Sequence, residues 1–452
     1  MAENVDVVVV GVGVGGEETA GRLALAGLRV VGIESRLVGG ECPYYGCIPS
    51  KMMIRAGNLI AETRRVEGMA GTSTVQPDWA PVARRIREEA TDTWNDKVAV
   101  DRLVNKGATI IKDKATITGP STVRAGDREF EAARGIVIAT GTIPAVPPID
   151  GLAGTPFWTN REAIEVETLP ASLLVLGGGA IGMELTQVFA RFGVDVTVIE
   201  GAPEVLAMEE PEAGILAREA LERDGVTFRR GAHATKVEYA GDTFTVTLAD
   251  GAVVSGEKLL VATGRRIATD DLGLEHLGLD PKARRIEVDE HVRAGDRVWA
   301  IGDVTGVGVF THNAMYQADI AVRDILQEPD APTASYHAMP RVTFTDPEIG
   351  AVGLTEQQAR DAGLNVRTGL TQIPASTRGW IHKAGNEGFI KLVLDADRGV
   401  LVGATSAGPT GGEVLSALAV AVHAAVPVHT LRQMIFAYPT FHRAIGAALA
   451  EL

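Results

Sequence analysis

The chain has 452 residues, is 46% hydrophobic and 22% charged, and carries a formal net charge of −15. That is enough length for two to four domains, and the composition is that of a globular enzyme, which excludes disorder, collagen and coiled coil. The negative balance argues against nucleic acid or an anionic membrane surface as partner, so any small anionic cofactor has to be captured by local devices.

The first element expected is a strand over residues 6–10, which runs into Gly11, Gly13 and Gly16. A helix over residues 17–26 and a strand over residues 29–33 ending beside Glu34 come next. No basic residue precedes the opening apolar run, and glycines cut it short, so it reads as a strand rather than a secretory leader. G-x-G-x-x-G between strand and helix has a physical logic: the first glycine permits a tight turn, the second admits a pyrophosphate to the backbone, and the third lets helix pack on strand. The helix N-terminus then offers free N–H groups and a positive dipole end to phosphates. Glu34, 23 residues after Gly11, is placed to accept hydrogen bonds from ribose hydroxyls.

Cys42 and Cys47 are the chain's two cysteines, and they share one loop. That is no distributed disulfide framework, and it points to an intracellular, cytoplasmic protein. In a regular helix, residues five apart have Cα atoms about 8.6 Å apart, whereas a disulfide needs less than about 7 Å. A bridge between them therefore requires a distortion before Cys47, which Pro43 and Gly46 can supply. Pro49 suits a first helical turn, so a helix is expected to start near Cys47, where its dipole favours a thiolate. A pair that can form and break beside a nucleotide site is an electron relay. Two core thiols, or half of a metal site, are the other readings of the pair; the metal reading lacks further ligands nearby, and no metal is expected.

Further along, residues 136–141 (IVIATG, with Thr140 and Gly141) form a strand ending in glycine, and Pro144, Pro147 and Pro148 mark a linker. The opening pattern then repeats 166 positions later: a strand over residues 173–176, Gly177, Gly179 and Gly182, a helix over residues 183–192, and a strand over residues 195–199 ending at Glu200. Residues 259–264 (LLVATG) repeat the glycine-ended strand at Gly264, and residues 298–303 (VWAIGD) aim Asp303 at another sugar hydroxyl. Two complete copies with matching acids imply two dinucleotide sites. A helix over residues 314–326 and a connector over residues 328–340 lead into a mixed terminal region. Its apolar span over residues 414–431 holds His423, Pro427 and His429 and reads as a buried helix, not a membrane span.

The run GGECPYYGCIPSK, the doubled fingerprint, the ATG strands, ATGRR (262–266) and AIGDV (300–304) together resemble the FAD-dependent pyridine nucleotide-disulfide oxidoreductases, in the branch of dihydrolipoamide dehydrogenase, glutathione reductase and mercuric reductase. The resemblance implies an α/β fold: two Rossmann-like dinucleotide-binding domains plus a C-terminal α+β dimerisation domain. Residues 1–143 and 265–335 would form the FAD domain, residues 144–264 the NAD(H) domain, and residues 336–452 the interface of a homodimer. It further implies that Gly11, Gly13, Gly16, Glu34, Lys51, Thr140, Gly141 and Asp303 bind FAD, and that Gly177, Gly179, Gly182, Glu200 and Gly264 bind the nicotinamide cofactor. Cys47 would be the sulfur facing the flavin, Cys42 the outer sulfur, and Lys51 with Glu184 an ion pair between flavin and nicotinamide. Glu200 favours a 2′-hydroxyl over a 2′-phosphate, the third glycine is not alanine, and no arginine occurs between Glu200 and Arg218, so NADH is expected ahead of NADPH.

The chain departs from that family near its end. Where disulfide-reducing members carry His-Pro-Thr and a glutamate five residues after the histidine, this chain has Tyr438-Pro439-Thr440 and Arg443. Tyrosine titrates near 10 and histidine near 6.5, so Tyr438 can donate a hydrogen bond but is a poor base at neutral pH. His442 would substitute if Pro439 opened a helix that put both on one face; the favoured reading is that it is simply a polar helix residue. Pro43, Tyr44 and Tyr45 also replace the family's usual small or aliphatic residues beside the outer cysteine, either as packing or as a stacking surface for a planar acceptor such as a quinone. A mercuric reductase is disfavoured, because the chain ends without a further cysteine pair. The activity expected is electron transfer from NADH through FAD to the Cys42/Cys47 disulfide and on to a small-molecule acceptor. That acceptor is a lipoamide-like disulfide or, alternatively, a quinone or other small oxidant. A nucleotide-binding protein that has lost its chemistry is the remaining reading.

Overall fold

The computed structural model describes residues 2–452. Two compact units are distinguishable, one made of Met1–Pro49, Arg84–Ala145 and Arg265–Ser335, the other of Ser50–Ala83, Val146–Gly264 and Tyr336–Leu452.

The first unit is built on an eight-stranded sheet. Its central strand, Glu3–Val10, pairs in parallel with Val30–Ile33 on one side and with Arg128–Ile138 on the other. Val298–Ala300 extends the sheet beyond Arg128–Ile138, and Thr109–Ile111 extends it beyond Val30–Ile33, again in parallel. Alternate residues of the central strand feed opposite faces, as a strand buried on both sides requires. Val7 and Val9 pack with Leu23, Ala318 and Ile325 beneath the helices Val14–Leu25 and Thr311–Ile325. Val8 and Val10 pack with Ile117, Phe130 and Ile136. The chain crosses to opposite sides of Glu3–Val10 on leaving it and on returning, so the carboxyl end of that strand is a topological switch point, where such sheets open a crevice for ligand.

The second unit holds a four-stranded parallel sheet in the order Thr227–Arg230, Asp195–Glu200, Ser172–Leu176, Lys258–Val261. A three-stranded antiparallel sheet, Ala234–Ala240, Thr243–Leu248 and Val253–Gly256, shares one apolar cluster with it. The terminal region is a five-stranded antiparallel sheet covered by the helices Gly411–His423 and Ala444–Ala450. The buried helix expected over residues 414–431 is in fact two, Gly411–His423 and Val428–Leu431. Ala425 takes a positive φ of 46° and Pro427 lies just beyond it, so the helical ladder cannot continue. Lys391 is buried in this unit, with Nζ 2.9 Å from Glu210 Oε2, 2.8 Å from Glu212 Oε1 and 3.0 Å from Glu356 Oε2. Among the described residues, no helix is long and apolar enough to cross a membrane.

Candidate active site: two nucleotide cradles and a cysteine pair

Both glycine turns form as the spacing demands. Gly11 has φ +87° and Gly177 φ +103°. A Cβ on either would come within 2.5 Å of a carbonyl oxygen, that of Ala139 or of Ala262. A Cβ on Gly16 or Gly182 would overlap the carbonyl oxygen of Gly11 or Gly177. The helices start earlier than residues 17 and 183, at Val14–Leu25 and Ala180–Arg191. The third glycine therefore lies inside the first turn, where its missing side chain lets the helix close on the strand. Gly13 and Gly179 are the N-caps, and no side chain caps either helix. The first-turn N–H groups thus remain for a phosphate, and an acidic protein gains two anion cradles.

The repeat extends to individual hydrogen bonds. Glu34 Oε2 accepts from Val12 N at 2.8 Å and Oε1 from Arg36 N at 2.7 Å. At the positions 166 residues on, Glu200 accepts from Gly178 N and from Ala202 N. Each carboxylate oxygen keeps a lone pair for a ribose hydroxyl.

In the first unit, three further groups suit a bound FAD. The Thr140 hydroxyl is buried with no hydrogen-bond partner among the described residues, and Gly141, at φ +66°, leaves open space beside it. Asp303, in the short helix Gly302–Thr305, accepts from Thr142 Oγ1 at 2.7 Å. Burial raises its pKa, against the hydrogen bond from Thr142 and the nearby Arg265. Arg265 donates to Thr142 Oγ1 at 2.7 Å and to its carbonyl at 2.8 Å, and stands 3.7 Å from Glu41. An unpartnered hydroxyl, an open glycine and a half-buried carboxylate fit the polar edges of a dinucleotide. Nothing local in ATGRR gives Arg265 this role, because its partners lie on distant segments.

The cysteines lie on consecutive helices, Glu41–Tyr45 and Cys47–Arg64. Gly46 breaks between them with φ −134° and ψ −119°, the distortion that a bridge requires. A Cβ on Gly46 would sit 3.1 Å from Glu41 O and 3.3 Å from Cys42 Cα, so glycine lets the two turns approach. Both cysteines are half-buried. The hydrogen bond between the sulfurs pushes the Cys42 thiol pKa far up, with burial adding to it. Thr311, on the first turn of Thr311–Ile325, places its hydroxyl 3.3 Å from Cys47 Sγ. No local pattern marks it, since it lies 264 positions from that cysteine. Tyr44 is buried and Tyr45 stacks on Trp94 at 6.3 Å, so both tyrosines of the redox loop serve packing.

In the second unit, Lys51 Nζ lies 2.8 Å from Glu184 Oε2 and 4.6 Å from the Phe344 ring centroid. Glu184, buried on Ala180–Arg191, also accepts from Phe344 N at 2.8 Å, which fixes its carboxylate. Gly264, at φ +120°, has nothing within 4 Å of where a side chain would stand. Tyr438 is 66% exposed, and the Arg443 guanidinium lies 5.4 Å from its ring centroid. Pro439 does not open a helix; that element is Ala444–Ala450. Thr440 Oγ1 donates to Ala437 O at 2.7 Å and closes a turn instead, so Tyr438 and His442 share no helical face. His442 Nε2 meets Thr440 Oγ1 at 3.3 Å.

Known proteins match this arrangement along its whole length. The family described as pyridine nucleotide-disulphide oxidoreductase matches residues 5–318, and its dimerisation domain matches residues 339–449. The chain is 34% identical to a dihydrolipoyl dehydrogenase of Halobacterium salinarum, over 97% of this chain and 94% of that one. It is 32% identical to a mercuric reductase of Bacillus cereus, over 99% of this chain and 71% of that one. Among solved structures, the Cu(II) complex of the HOCl-induced flavoprotein disulfide reductase RclA from Escherichia coli aligns with a TM-score of 0.87 at 27% identity, covering 100% of this chain and 99% of that one. LpdA from Mycobacterium tuberculosis aligns at 0.86 and 26%, covering 99% of both chains. The chain therefore belongs to the pyridine nucleotide-disulfide oxidoreductases, flavoenzymes that use FAD and NAD(P)H. The matched dimerisation domain supports a homodimer.

Proposed function

We propose that the protein oxidises NADH through FAD and stores the two electrons in the Cys42/Cys47 pair before a small oxidant, a quinone foremost, removes them. The observation that carries this reading is the geometry at Gly46, which breaks the backbone between the two cysteines and lets the turns that bear Cys42 and Cys47 approach. Gly11, Gly13 and Gly16 take the FAD pyrophosphate, Glu34 and Asp303 accept from its sugar hydroxyls, and Thr140 and Gly141 border it. Gly177, Gly179 and Gly182 take the NADH pyrophosphate, Glu200 its ribose, and Gly264 leaves room beside it. When bound, the flavin supplies hydride acceptance from NADH and two-electron delivery to sulfur. Opening the disulfide with two electrons and one proton leaves a Cys42 thiol and a Cys47 thiolate, with the Thr311 hydroxyl donating to the thiolate. Lys51 holds Glu184 in one orientation on the NADH-binding helix.

The preference for a quinone rests on residues 438–443. Thiol exchange with a disulfide needs a base that turns over near neutral pH; at the family's histidine position stands Tyr438, with the Arg443 guanidinium 5.4 Å from its ring, and a phenol is ordinarily a poor base there. The 34% identity to a dihydrolipoyl dehydrogenase favours a lipoamide-like disulfide as the second reading. Steady-state NADH oxidation by the holoenzyme, with benzoquinone, lipoamide and Cu(II) at equal concentration, separates the acceptors. The expected result is fast benzoquinone turnover that partly survives Cys42→Ser, with little lipoamide turnover. Fast lipoamide turnover abolished by Cys42→Ser would install the second reading.

A further inference from the structure

The absence of arginine between Glu200 and Arg218 is a linear criterion, and the fold brings two arginines to that place by other routes. Thr227–Arg230 pairs in parallel with Asp195–Glu200, in a register that sets Arg230 directly opposite Glu200. The loop after Glu200 folds back on the glycine turn. Leu206 N donates to Gly178 O at 2.9 Å, and a Cβ on Gly178 would lie 2.8 Å from Val205 Cγ1. Gly231 N donates to Ala202 O at 2.9 Å and Ala232 N to Glu200 O at 3.0 Å, so the segment bearing Arg230 is stitched to the same loop. Arg218 arrives from the helix Pro211–Arg223. This rim surrounds the tip of Glu200, and a 2′-phosphate on the adenosine ribose would have to be recognised there. Two guanidiniums are the groups that such recognition uses.

Both are already engaged, and by one atom. Glu204 Oε2 lies 3.2 Å from Arg218 Nε and 3.1 Å from Arg230 Nη1. Arg230 Nη1 also donates to Pro203 O at 2.8 Å, and Arg218 Nη1 to Glu222 Oε2 at 2.8 Å. Val205 N donates to Glu204 Oε1 at 3.0 Å, which fixes the carboxylate in its own loop. Arg218 and Glu204 are 15% and 21% exposed, so solvent screens their attraction less than it would that of a surface pair.

We infer that Glu204 is a specificity-determining residue for the nicotinamide cofactor: it holds Arg218 and Arg230 together and withholds both from a 2′-phosphate. This rests on the NADH reading and adds the residue that enforces it. Glu200 repels the phosphate directly; Glu204 denies it the cations that would offset that repulsion. Discrimination of this kind works by leaving the wrong ligand without partners.

The test is the ratio of kcat/KM for NADPH to that for NADH, measured on the holoenzyme with benzoquinone as acceptor. Glu204→Gln is expected to raise the ratio about tenfold, the scale of one charge-assisted hydrogen bond. Adding Arg230→Met and Arg218→Met to that variant should return the ratio to its starting value. Calorimetry supplies a readout independent of turnover: Glu204→Gln should tighten 2′,5′-ADP and not ADP. Arg230→Met alone, in an otherwise unchanged chain, should leave NADPH use where it was, because that arginine is withheld; a fall would overturn the inference even if Glu204→Gln failed to fold. Preference for NADH with a ratio unmoved by Glu204→Gln would overturn the clamp alone. Preference of the unchanged enzyme for NADPH would overturn the NADH reading and the clamp with it.

Discussion

The two nucleotide cradles share a backbone and diverge beyond the acid. Up to Glu34 and Glu200 they agree in glycine conformation, in helix cap and in the hydrogen bonds to each carboxylate. After Glu34 the chain is held by packing: Asp96 accepts from Val38 N at 2.7 Å, Tyr44 is buried, and Tyr45 stacks on Trp94. After Glu200 it is held by charge. Glu204 takes Arg218 and Arg230, Glu209 takes Arg341 at 2.8 Å, and Glu210 takes Lys391. On the proposed function the common part would take a pyrophosphate and a ribose in each cradle, and the divergent part sets them apart: one is followed by the cysteine pair, the other by a cluster of ion pairs.

The largest effect should come from filling the shared turn. Gly16→Val and Gly182→Val each drive a side chain into a carbonyl oxygen, an overpacking of at least about 1–3 kcal/mol in a site without slack. If the cradles have separate duties, Gly16→Val yields protein without flavin. Gly182→Val remains yellow but is not bleached by NADH. Loss of flavin from both would break the comparison.

Next comes the charge that holds the second loop. Lys391→Met leaves buried Glu210 without its cation and should cost about 3–5 kcal/mol in denaturant unfolding at pH 7. Burial pulls the Lys391 pKa down, but hydrogen bonds to Glu212, Glu210 and Glu356 hold it well above the ordinary value. A raised folded pKa stabilises fully below the unfolded value of about 10.4 and is lost as pH climbs through the folded value. The difference between wild type and variant should therefore shrink above that pH.

A smaller effect is expected at the sulfurs. Thr311→Val removes one hydroxyl from Cys47 and should move the thiolate titration of the reduced pair upward, read from flavin–thiolate absorbance. Thr311→Ser should restore it. Smallest of all, Trp94→Leu removes the ring beneath Tyr45 and should cost about 0.5–1.5 kcal/mol of stability beyond the area lost, with the cysteine chemistry intact.

These differences also mark how far the sequence can be read. The glycine turns, both acids, the ATG strands and the helix break at Gly46 are legible because each is a local pattern whose spacing states its geometry. Thr311 and Arg265 are not, since their partners come from segments far away in the chain and only the sheet and its covering helices bring them together. Arg230 escapes for a different reason: a linear window after Glu200 ends before the neighbouring strand, whose parallel register returns an arginine to that acid. His442 shares no helical face with Tyr438, because a threonine turn stands where Pro439 would have had to open a helix.

The most direct measurement counts thiols in the holoenzyme before and after anaerobic reduction by one equivalent of NADH, beside Cys42→Ser. Electron storage in the cysteine pair predicts that two thiols per chain appear in the wild type while the flavin regains its oxidised absorbance, and that none appear in the variant. A wild type whose flavin stays bleached and whose thiol count does not change would contradict it.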